Sequence, residues 1–185
     1  MKALLLVGGQ STRMGAEKYL MNVNGQPQYV HLHQLLSDAG LDVCISCNLE
    51  QYKTIPSDYY RLVDQYDAIG PIGGLLAAIN HSPEEAWLMV ACDLVNVNAD
   101  TIATLIDAVD DEHDIITYQG ADSKYLETTI TIYKPSAFRE VLDTVEMGLY
   151  SLQRVLSNCK VKTINPAEDS ELKNVNSPED LKKKP

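Results

Sequence analysis

The chain has 185 residues, of which 45% are hydrophobic and 22% charged, and this balance is ordinary for a globular protein with one core. We therefore expect a single domain spanning residues 1–185. The net charge of −11, from 15 basic and 26 acidic residues, argues against general nucleic-acid binding, which needs a basic surface. The apolar run at residues 3–7 is too short for a signal segment or a membrane span, so we expect a cytoplasmic protein.

The first predicted element is a buried strand at residues 3–7, typical of the centre of a parallel sheet. Gly8-Gly9 and a polar loop carrying Arg13 and Lys18 follow it. Ligands of parallel sheets bind beyond the carboxyl ends of the strands, where glycines allow close approach and backbone amides attract anions. With two cations nearby, the segment predicts a phosphate site, although it lacks the Walker A and dinucleotide-binding spacings. The alternative is a plain turn with solvated basic residues.

Helices and strands then alternate along the chain. A helix is predicted from about residue 28 to Gly40, a strand at 43–46, a short helix near Gln51 and a strand at 60–63. This alternation predicts a parallel sheet covered by helices on both faces.

Two cysteines on the second of these strands, Cys44 and Cys47, have the spacing of a redox or zinc pair. Residues three apart on a strand point to opposite faces of the sheet, and no second Cys/His pair has zinc spacing. We therefore expect reduced thiols that pack in the interior, with metal or redox chemistry as the alternative.

A glycine-rich loop, Gly-Pro-Ile-Gly-Gly at residues 70–74, opens an apolar helix that is predicted to end near His81. Glycines at a helix N-terminus suit the close approach of a ligand, which makes Gly70 and Gly73 candidate contacts. Simple packing of the helix on the sheet is the alternative.

The most apolar predicted strand, residues 87–92, ends in Asp93. A carboxylate at the carboxyl end of a central parallel strand faces the ligand crevice and suits a divalent cation. The alternative is an aspartate that caps a helix or has a purely structural role.

The second half of the chain predicts shorter elements. They are a helix at 101–109 with Asp100 as its N-cap, strands at 114–118 and 125–133, helices at 135–145 and 151–156, a strand at 161–164 and a terminal helix after Ser177. The whole pattern predicts a three-layer, Rossmann-like α/β fold with a mostly parallel central sheet and a mixed extension.

Four separated motifs resemble those of the MobA-type molybdenum cofactor guanylyltransferases, a family of nucleotidyltransferases. The first, from Leu6 to Lys18, is Leu-x-Gly-Gly-x-Ser-x-Arg-Met-Gly-x-x-Lys. The others are the 70–74 loop, Cys-Asp at 92–93 and Asn-Val-Asn-Ser-Pro-Glu at 174–179. The likeness covers most of the chain. It departs from the family pattern after Asp93 and at residues 127–129, which would help to form the acceptor pocket.

The resemblance implies a nucleotidyltransferase fold and the transfer of GMP from GTP to molybdenum-bearing molybdopterin, with release of pyrophosphate. It implies that Arg13 and Lys18 neutralise the phosphates and that Asp93 holds Mg²⁺. Asp67 would contact guanine or ribose, while Asn174 and Asn176 would position the acceptor or complete the metal shell. The implied nucleotide contacts are Leu6, Val7, Gly8, Gly9, Lys18, Ser46, Asp67, Gly70, Gly73 and Asp93.

Two other functions stay open on the sequence. One is a related transferase that uses CTP or another nucleotide, or a sugar-phosphate acceptor. The other is a non-catalytic GTP-binding accessory protein. The resemblance further implies that GTP and molybdopterin are the small-molecule partners, that contacts with other molybdenum cofactor proteins are transient, and that neither nucleic acid nor membrane is bound.

Overall fold

The computed structural model describes residues 1–8, 18–23, 25–66, 69–121 and 123–175. These residues form a seven-stranded sheet with helices on both faces. Within these ranges, no helix has the length and apolar character needed to span a bilayer. The predicted three-layer α/β fold with a mostly parallel sheet is confirmed.

The strands and helices follow one another in chain order. They are β1 (Lys2–Leu6), β2 (Asn22–Val23), β3 (Gln26–Pro27), α1 (Gln28–Asp38), β4 (Asp42–Cys47), α2 (Leu49–Thr54), β5 (Tyr60–Val63), α3 (Pro71–His81), β6 (Trp87–Ala91), α4 (Ala99–Asp107), β7 (Ile115–Tyr118), β8 (Ile130–Tyr133), α5 (Phe138–Glu146), α6 (Leu152–Asn158) and β9 (Val161–Ile164). Short 3₁₀ helices lie at Lys18–Leu20, Pro135–Ala137 and Asp169–Leu172.

The strand order of the large sheet is β5-β4-β1-β6-β8-β7-β9. β8 pairs antiparallel with both β6 and β7, whereas the other pairs in the sheet are parallel. All strands of this seven-stranded sheet except β8 therefore end at the same edge, where the ligand crevice of such a sheet is expected. Below, this edge is called the carboxyl edge.

The central strand β1 contributes to the core on both faces, as its apolar sequence predicts. Leu5 and Val7 belong to the cluster that contains α1 and α4 side chains. Leu4 and Leu6 belong to the opposite cluster, with side chains of α3, α5 and α6. β1 is thus fixed from both sides, and its carboxyl end has a well-defined position.

The strand predicted at residues 125–133 is wrong in its first half, because β8 begins only at Ile130. In the preceding segment the strand pairing is only partial. The Thr129 carbonyl still accepts from the Ala91 amide of β6 at 2.9 Å, but other carbonyls accept hydrogen bonds from side chains. The carbonyl of Leu126 accepts from Gln153 at 2.5 Å, and that of Thr128 accepts from Tyr133 at 3.0 Å. At these two carbonyls the side chains thus replace the strand ladder and hold an irregular loop at the carboxyl edge.

The predicted N-cap of α4, Asp100, is also wrong. The N-cap is Asn98, whose side-chain oxygen accepts a hydrogen bond from the Thr101 amide at 3.0 Å. The Thr101 hydroxyl is paired in return with the Asn98 amide, which completes a capping box. Asp100 instead lies in the first turn of the helix. The helix predicted after Ser177 lies outside the described residues.

Candidate functional site

The end of β1 lies between the ends of β4 and β6 at the carboxyl edge. The Val7 amide donates to the Ser46 carbonyl at 3.1 Å, and the Cys92 amide donates to the Leu6 carbonyl at 3.0 Å. These bonds continue both ladders beyond the strands and bring Gly8 to the edge, where it is exposed. A ligand at this edge can therefore approach the backbone of Gly8 directly.

Helix α3 packs tightly across the ends of β1 and β4. A Cβ atom built on Gly74 would lie 2.7 Å from Leu6 Cδ2 and 2.7 Å from Ser46 Oγ, so a larger residue would force these side chains to move. The sequence of small residues in this helix is thus explained by packing. The side chain of Ser46 is only 3% exposed beneath Gly74, so its predicted contact with nucleotide stays a prediction.

The first turn of α3 lies against Asp64, the residue that follows β5. A Cβ on Gly73 would meet the two Asp64 carboxylate oxygens at 2.8 and 3.0 Å. One of these oxygens also accepts a hydrogen bond from the Tyr66 amide at 2.8 Å. Gly70, the N-cap of α3, has φ of +78°, a conformation that favours glycine. Gly70 and Gly73 thus serve the turn and the close approach of a carboxylate to a helix N-terminus.

Asp93 follows β6 at the same edge and is half-buried. Its backbone carbonyl accepts a hydrogen bond from the Val175 amide at 2.9 Å, and the next residue, Leu94, forms an antiparallel bridge with Asn174. Asn174 is exposed. The structure therefore brings together the third and fourth motifs, which are far apart in the sequence.

A second carboxylate, that of Glu127, lies near Asp93. The Ala91 amide donates to the Thr129 carbonyl at 2.9 Å, and continuing this antiparallel register places Glu127 opposite Asp93. Burial, and next the charge of Asp93, raise the pKa of Glu127 above its usual value. Two carboxyl groups therefore face each other on this side of the carboxyl edge, and a bound cation would offset their repulsion.

The donor atoms suit a hard divalent cation that is shared with a ligand. In the ranges given above, no three or more histidine, cysteine, aspartate or glutamate side chains form a group that could enclose a metal ion. Mg²⁺ usually takes one or two protein carboxylates, with water and substrate phosphates completing its shell. Asp93, with Glu127 nearby, fits that pattern.

The structure brings most of the described candidate residues to the carboxyl edge. The other candidates lie outside the described residues. The candidates at or beneath this edge are Leu6, Val7, Gly8, Ser46, Gly70, Gly73, Asp93 and Asn174. Those outside the described residues are Gly9, Arg13, Asp67 and Asn176. The backbone of Lys18 begins the first 3₁₀ helix, and its side chain is outside the described part of the chain.

Sequence reasoning missed Asp64, and it included Glu127 only in the 127–129 segment of the acceptor pocket, not as a carboxylate near Asp93. Asp64 immediately follows a parallel strand, so the argument that selected Asp93 could also have found it. Glu127 had no such signal, because its approach to Asp93 depends on the pairing of β8 with β6.

The two cysteines of β4 face opposite sides of the sheet, as predicted. Cys44 packs in the cluster with α3, and Cys47 packs in the cluster with α1. Burial raises the pKa of each thiol to about 11, so both are protonated near neutral pH. The geometry and the protonation state support packing residues and oppose a redox pair.

Comparison with known proteins gives the chain a family. The model of the MobA-like NTP transferase domain matches residues 3–163. A molybdenum cofactor biosynthesis bifunctional protein of Synechocystis sp. is 32% identical over 178 residues, covering 96% of this chain and 51% of that protein. The chain thus spans about half the length of this relative.

Two further relatives are similar over nearly their whole length. A probable molybdenum cofactor guanylyltransferase of Thermococcus sibiricus is 28% identical, covering 99% of this chain and 96% of the relative. The crystal structure of a molybdopterin-guanine dinucleotide biosynthesis protein A from Archaeoglobus fulgidus superposes with a TM-score of 0.81 at 23% identity. It covers 98% of this chain and 95% of its own, which shows a shared fold. By its family model, this chain belongs to the MobA-like NTP transferases and is a nucleotidyltransferase.

Proposed function

We propose that this nucleotidyltransferase transfers GMP from GTP to molybdenum-bearing molybdopterin, forming a guanine dinucleotide and releasing pyrophosphate. Relatives that align over nearly the whole chain carry the name guanylyltransferase. The observation in the structure that carries the proposal is the arrangement of Gly8 and Asp93. They follow adjacent parallel strands, which the Cys92–Leu6 hydrogen bond holds together at the carboxyl edge.

The proposed reaction joins two anions. A phosphate oxygen of molybdopterin attacks the α-phosphorus of GTP, and the bond from that phosphorus to the oxygen bridging to the β-phosphate breaks. The new bond is a phosphoanhydride, and the electron pair leaves with pyrophosphate. Because the attacking group is already anionic, positioning and charge stabilisation matter more than a strong general base.

In this proposal the glycine loop binds the nucleotide phosphates. The exposed backbone of Gly8 offers an amide to the phosphates, above Leu6 and Val7, and Gly9 is assigned the same role. Arg13 and Lys18 neutralise the triphosphate and the departing pyrophosphate.

Nucleotidyltransferases of this family typically use a divalent metal, and we assign Mg²⁺ to Asp93. When bound, the ion supplies positive charge to the phosphate oxygens. Asp93 would hold the ion, and the carboxyl group of Glu127 lies beside it. Substrate phosphates and water would supply the other ligands.

Recognition of the guanine or ribose is assigned to the loop between β5 and α3. Asp67 was the sequence candidate, and Asp64 lies directly against the start of α3 next to Gly73. A carboxylate there can accept the paired N–H donors of guanine or the ribose hydroxyls. Comparing Asp64→Asn with Asp67→Asn distinguishes them, because the recognition residue selectively raises KM for GTP.

The acceptor is assigned to the β6–β8 side of the edge. Asn174, bridged to Leu94, and Asn176 position its phosphate or complete the metal shell. Residues 127–129 line the same side through the Ala91–Thr129 hydrogen bond. Transient contacts with other molybdenum cofactor proteins and a cytoplasmic location remain predictions from the sequence.

The test is pyrophosphate release with GTP, CTP, ATP or UTP, each with Mg²⁺ or EDTA and with or without molybdenum-loaded molybdopterin. We expect release only with GTP, the pterin and Mg²⁺ together. Selective release with CTP or with a sugar phosphate would overturn the substrate but keep the enzyme class. Binding of GTP without release under any condition would favour an accessory protein instead.

A further inference from the structure

Helix α2 contacts both chain segments that flank the glycine loop. At the entrance, Gln51 Nε2 donates to the Val7 carbonyl at 3.0 Å, and its Oε1 lies 4.0 Å from the position of a Cβ on Gly8. At the exit, Thr54 Oγ1 lies 2.9 Å from the hydroxyl of Tyr19, the residue after Lys18. One short helix thus contacts both Val7 and Tyr19.

Two of the three contact side chains, Gln51 and Tyr19, are buried, whereas Thr54 is exposed. Gln51 is 3% exposed and Tyr19 is 2% exposed. Gln51 Oε1 accepts a hydrogen bond from the backbone amide of Asn48 at 3.0 Å. The backbone amide of Gln51 donates in return to Asn48 Oδ1 at 2.8 Å. This capping box fixes the orientation of the Gln51 side chain, so its hydrogen bond to the Val7 carbonyl costs little further side-chain entropy.

The hydroxyl network at the exit has a defined direction. Thr54 Oγ1 donates its single hydrogen to the Gln51 carbonyl at 3.0 Å. Its contact with Tyr19 must therefore be the one in which Tyr19 O–H donates. The Tyr19 ring also packs edge-on against Tyr29, with centroids 5.7 Å apart. The side chain next to Lys18 is thus held from two sides.

We propose that Gln51 and Thr54 are positioning residues of the nucleotidyl transfer. Helix α2 fixes the Val7 carbonyl and the Tyr19 hydroxyl relative to each other, and so fixes the relative positions of the Gly8 amide and Lys18. The inference rests on the proposed function, since both groups are assigned there to the phosphates. Neither Gln51 nor Thr54 touches the substrate in this assignment.

The contact between Thr54 and Tyr19 has a kinetic effect that can be measured. Loss of the Tyr19–Thr54 hydrogen bond displaces Lys18, whose charge meets the leaving pyrophosphate, so it lowers kcat more than it raises KM for GTP. We expect Thr54→Val and Tyr19→Phe each to lower kcat about 5- to 10-fold, as for the loss of one hydrogen bond. The double variant should be no slower than either single one, because each removes the same bond.

The matched controls lie on the same helix. Thr54→Ser keeps the hydroxyl and should restore kcat to within about twofold of the wild type. Lys53→Gln, which breaks an exposed ion pair with Glu50, should leave kcat unchanged. Circular dichroism melting of every variant separates loss of folding from loss of position.

The outcomes distinguish this inference from the proposed function. An active wild-type chain with folded Thr54→Val and Tyr19→Phe variants of undiminished kcat would overturn the inference alone. A wild-type chain that releases no pyrophosphate with any nucleotide would overturn the proposed function. In that case the Kd of GTP decides: weaker binding in Thr54→Val but not Thr54→Ser supports the positioning role, and equal binding in both contradicts it.

Discussion

The carboxylate of Asp93 lies two residues after the end of β6, at the carboxyl edge. We expect Asp93→Asn to lower metal-dependent kcat by at least about 100-fold, because the isosteric amide lacks the charge that holds the cation. Turnover measured across a Mg²⁺ titration checks this. The melting temperature should stay near that of the wild type.

Asp58→Asn is the matched control, because Asp58 is an exposed turn residue. Its turnover should equal that of the wild type. Wild-type turnover by a folded Asp93→Asn variant would contradict the assignment of the metal to Asp93.

Gly74 shows how a single missing Cβ shapes the site. Gly74→Ala would place a methyl group 2.7 Å from Leu6 and Ser46, at the base of the glycine loop. Overpacking of this kind costs about 1–3 kcal/mol, offset by about 1 kcal/mol of helix propensity. We expect a net loss of stability of up to about 2 kcal/mol in urea unfolding.

Gly120→Ala provides the comparison, because its Cβ would meet Asp169 at an ordinary 3.5 Å. This variant should change the free energy of unfolding by less than about 0.5 kcal/mol. Equal stability of the Gly74→Ala and Gly120→Ala variants would show that α3 can move away from the sheet.

Among the elements, helix α4 provides a direct test of a corrected boundary. Asn98→Ala removes the side chain that caps the Thr101 amide and should cost about 1 kcal/mol of unfolding free energy. Asp100→Ala should change it by less than about 0.5 kcal/mol, because the lost dipole interaction is offset by helix propensity. Urea unfolding of the two variants side by side gives the answer, and the reverse order would restore Asp100 as the cap.

The sequence predicted the elements that depend on local pattern. β5 and β9 have the predicted bounds, because their strands are apolar or β-branched runs between clear turn residues. The sequence also contains the signal for the cap of α4. Thr101 lies three residues after Asn98 and can complete a capping box, whereas Ala103, three residues after Asp100, has no polar side chain to do so. An aspartate without such a partner three residues later is the weaker candidate for an N-cap.

The loop before β8 could not be predicted locally. Its carbonyls are held by Gln153, Thr117 and Tyr133, whose positions depend on the completed fold. The same reason explains the candidate site. Gly8, Gly73 and Asp93 were found because they follow strands or begin a helix, whereas Glu127 required knowledge of strand pairing.

At the scale of the whole molecule, Asp110 joins distant parts of the chain at the edge opposite the candidate site. Its carboxylate accepts from Lys162 Nζ of β9 at 2.9 Å and contacts His113 Nδ1 at 3.0 Å. These hydrogen bonds, with Lys162 the larger cause, hold the pKa of Asp110 well below its usual value. The folded protein therefore favours the charged carboxylate.

A depressed pKa gives a defined pH dependence. The stabilisation is complete above the ordinary aspartate pKa of about 4 and is lost as pH falls further, because the unfolded chain takes up the proton first. We expect Asp110→Asn to lower the melting temperature at pH 7 and to approach the wild type as pH falls from about 5 to about 2. Melting curves at several pH values check this, and a constant difference at all pH values would contradict it.

The hydrogen bond between Val175 and the Asp93 carbonyl determines when, during translation, the candidate site can be completed. Asp93 leaves the ribosome long before Val175, and so do the glycine loop and α2. A nascent chain synthesised only as far as β9 contains all strands of the sheet. It still lacks Asn174, which forms the antiparallel bridge with Leu94. The acceptor side of the crevice is therefore finished last, after the surfaces assigned to the nucleotide.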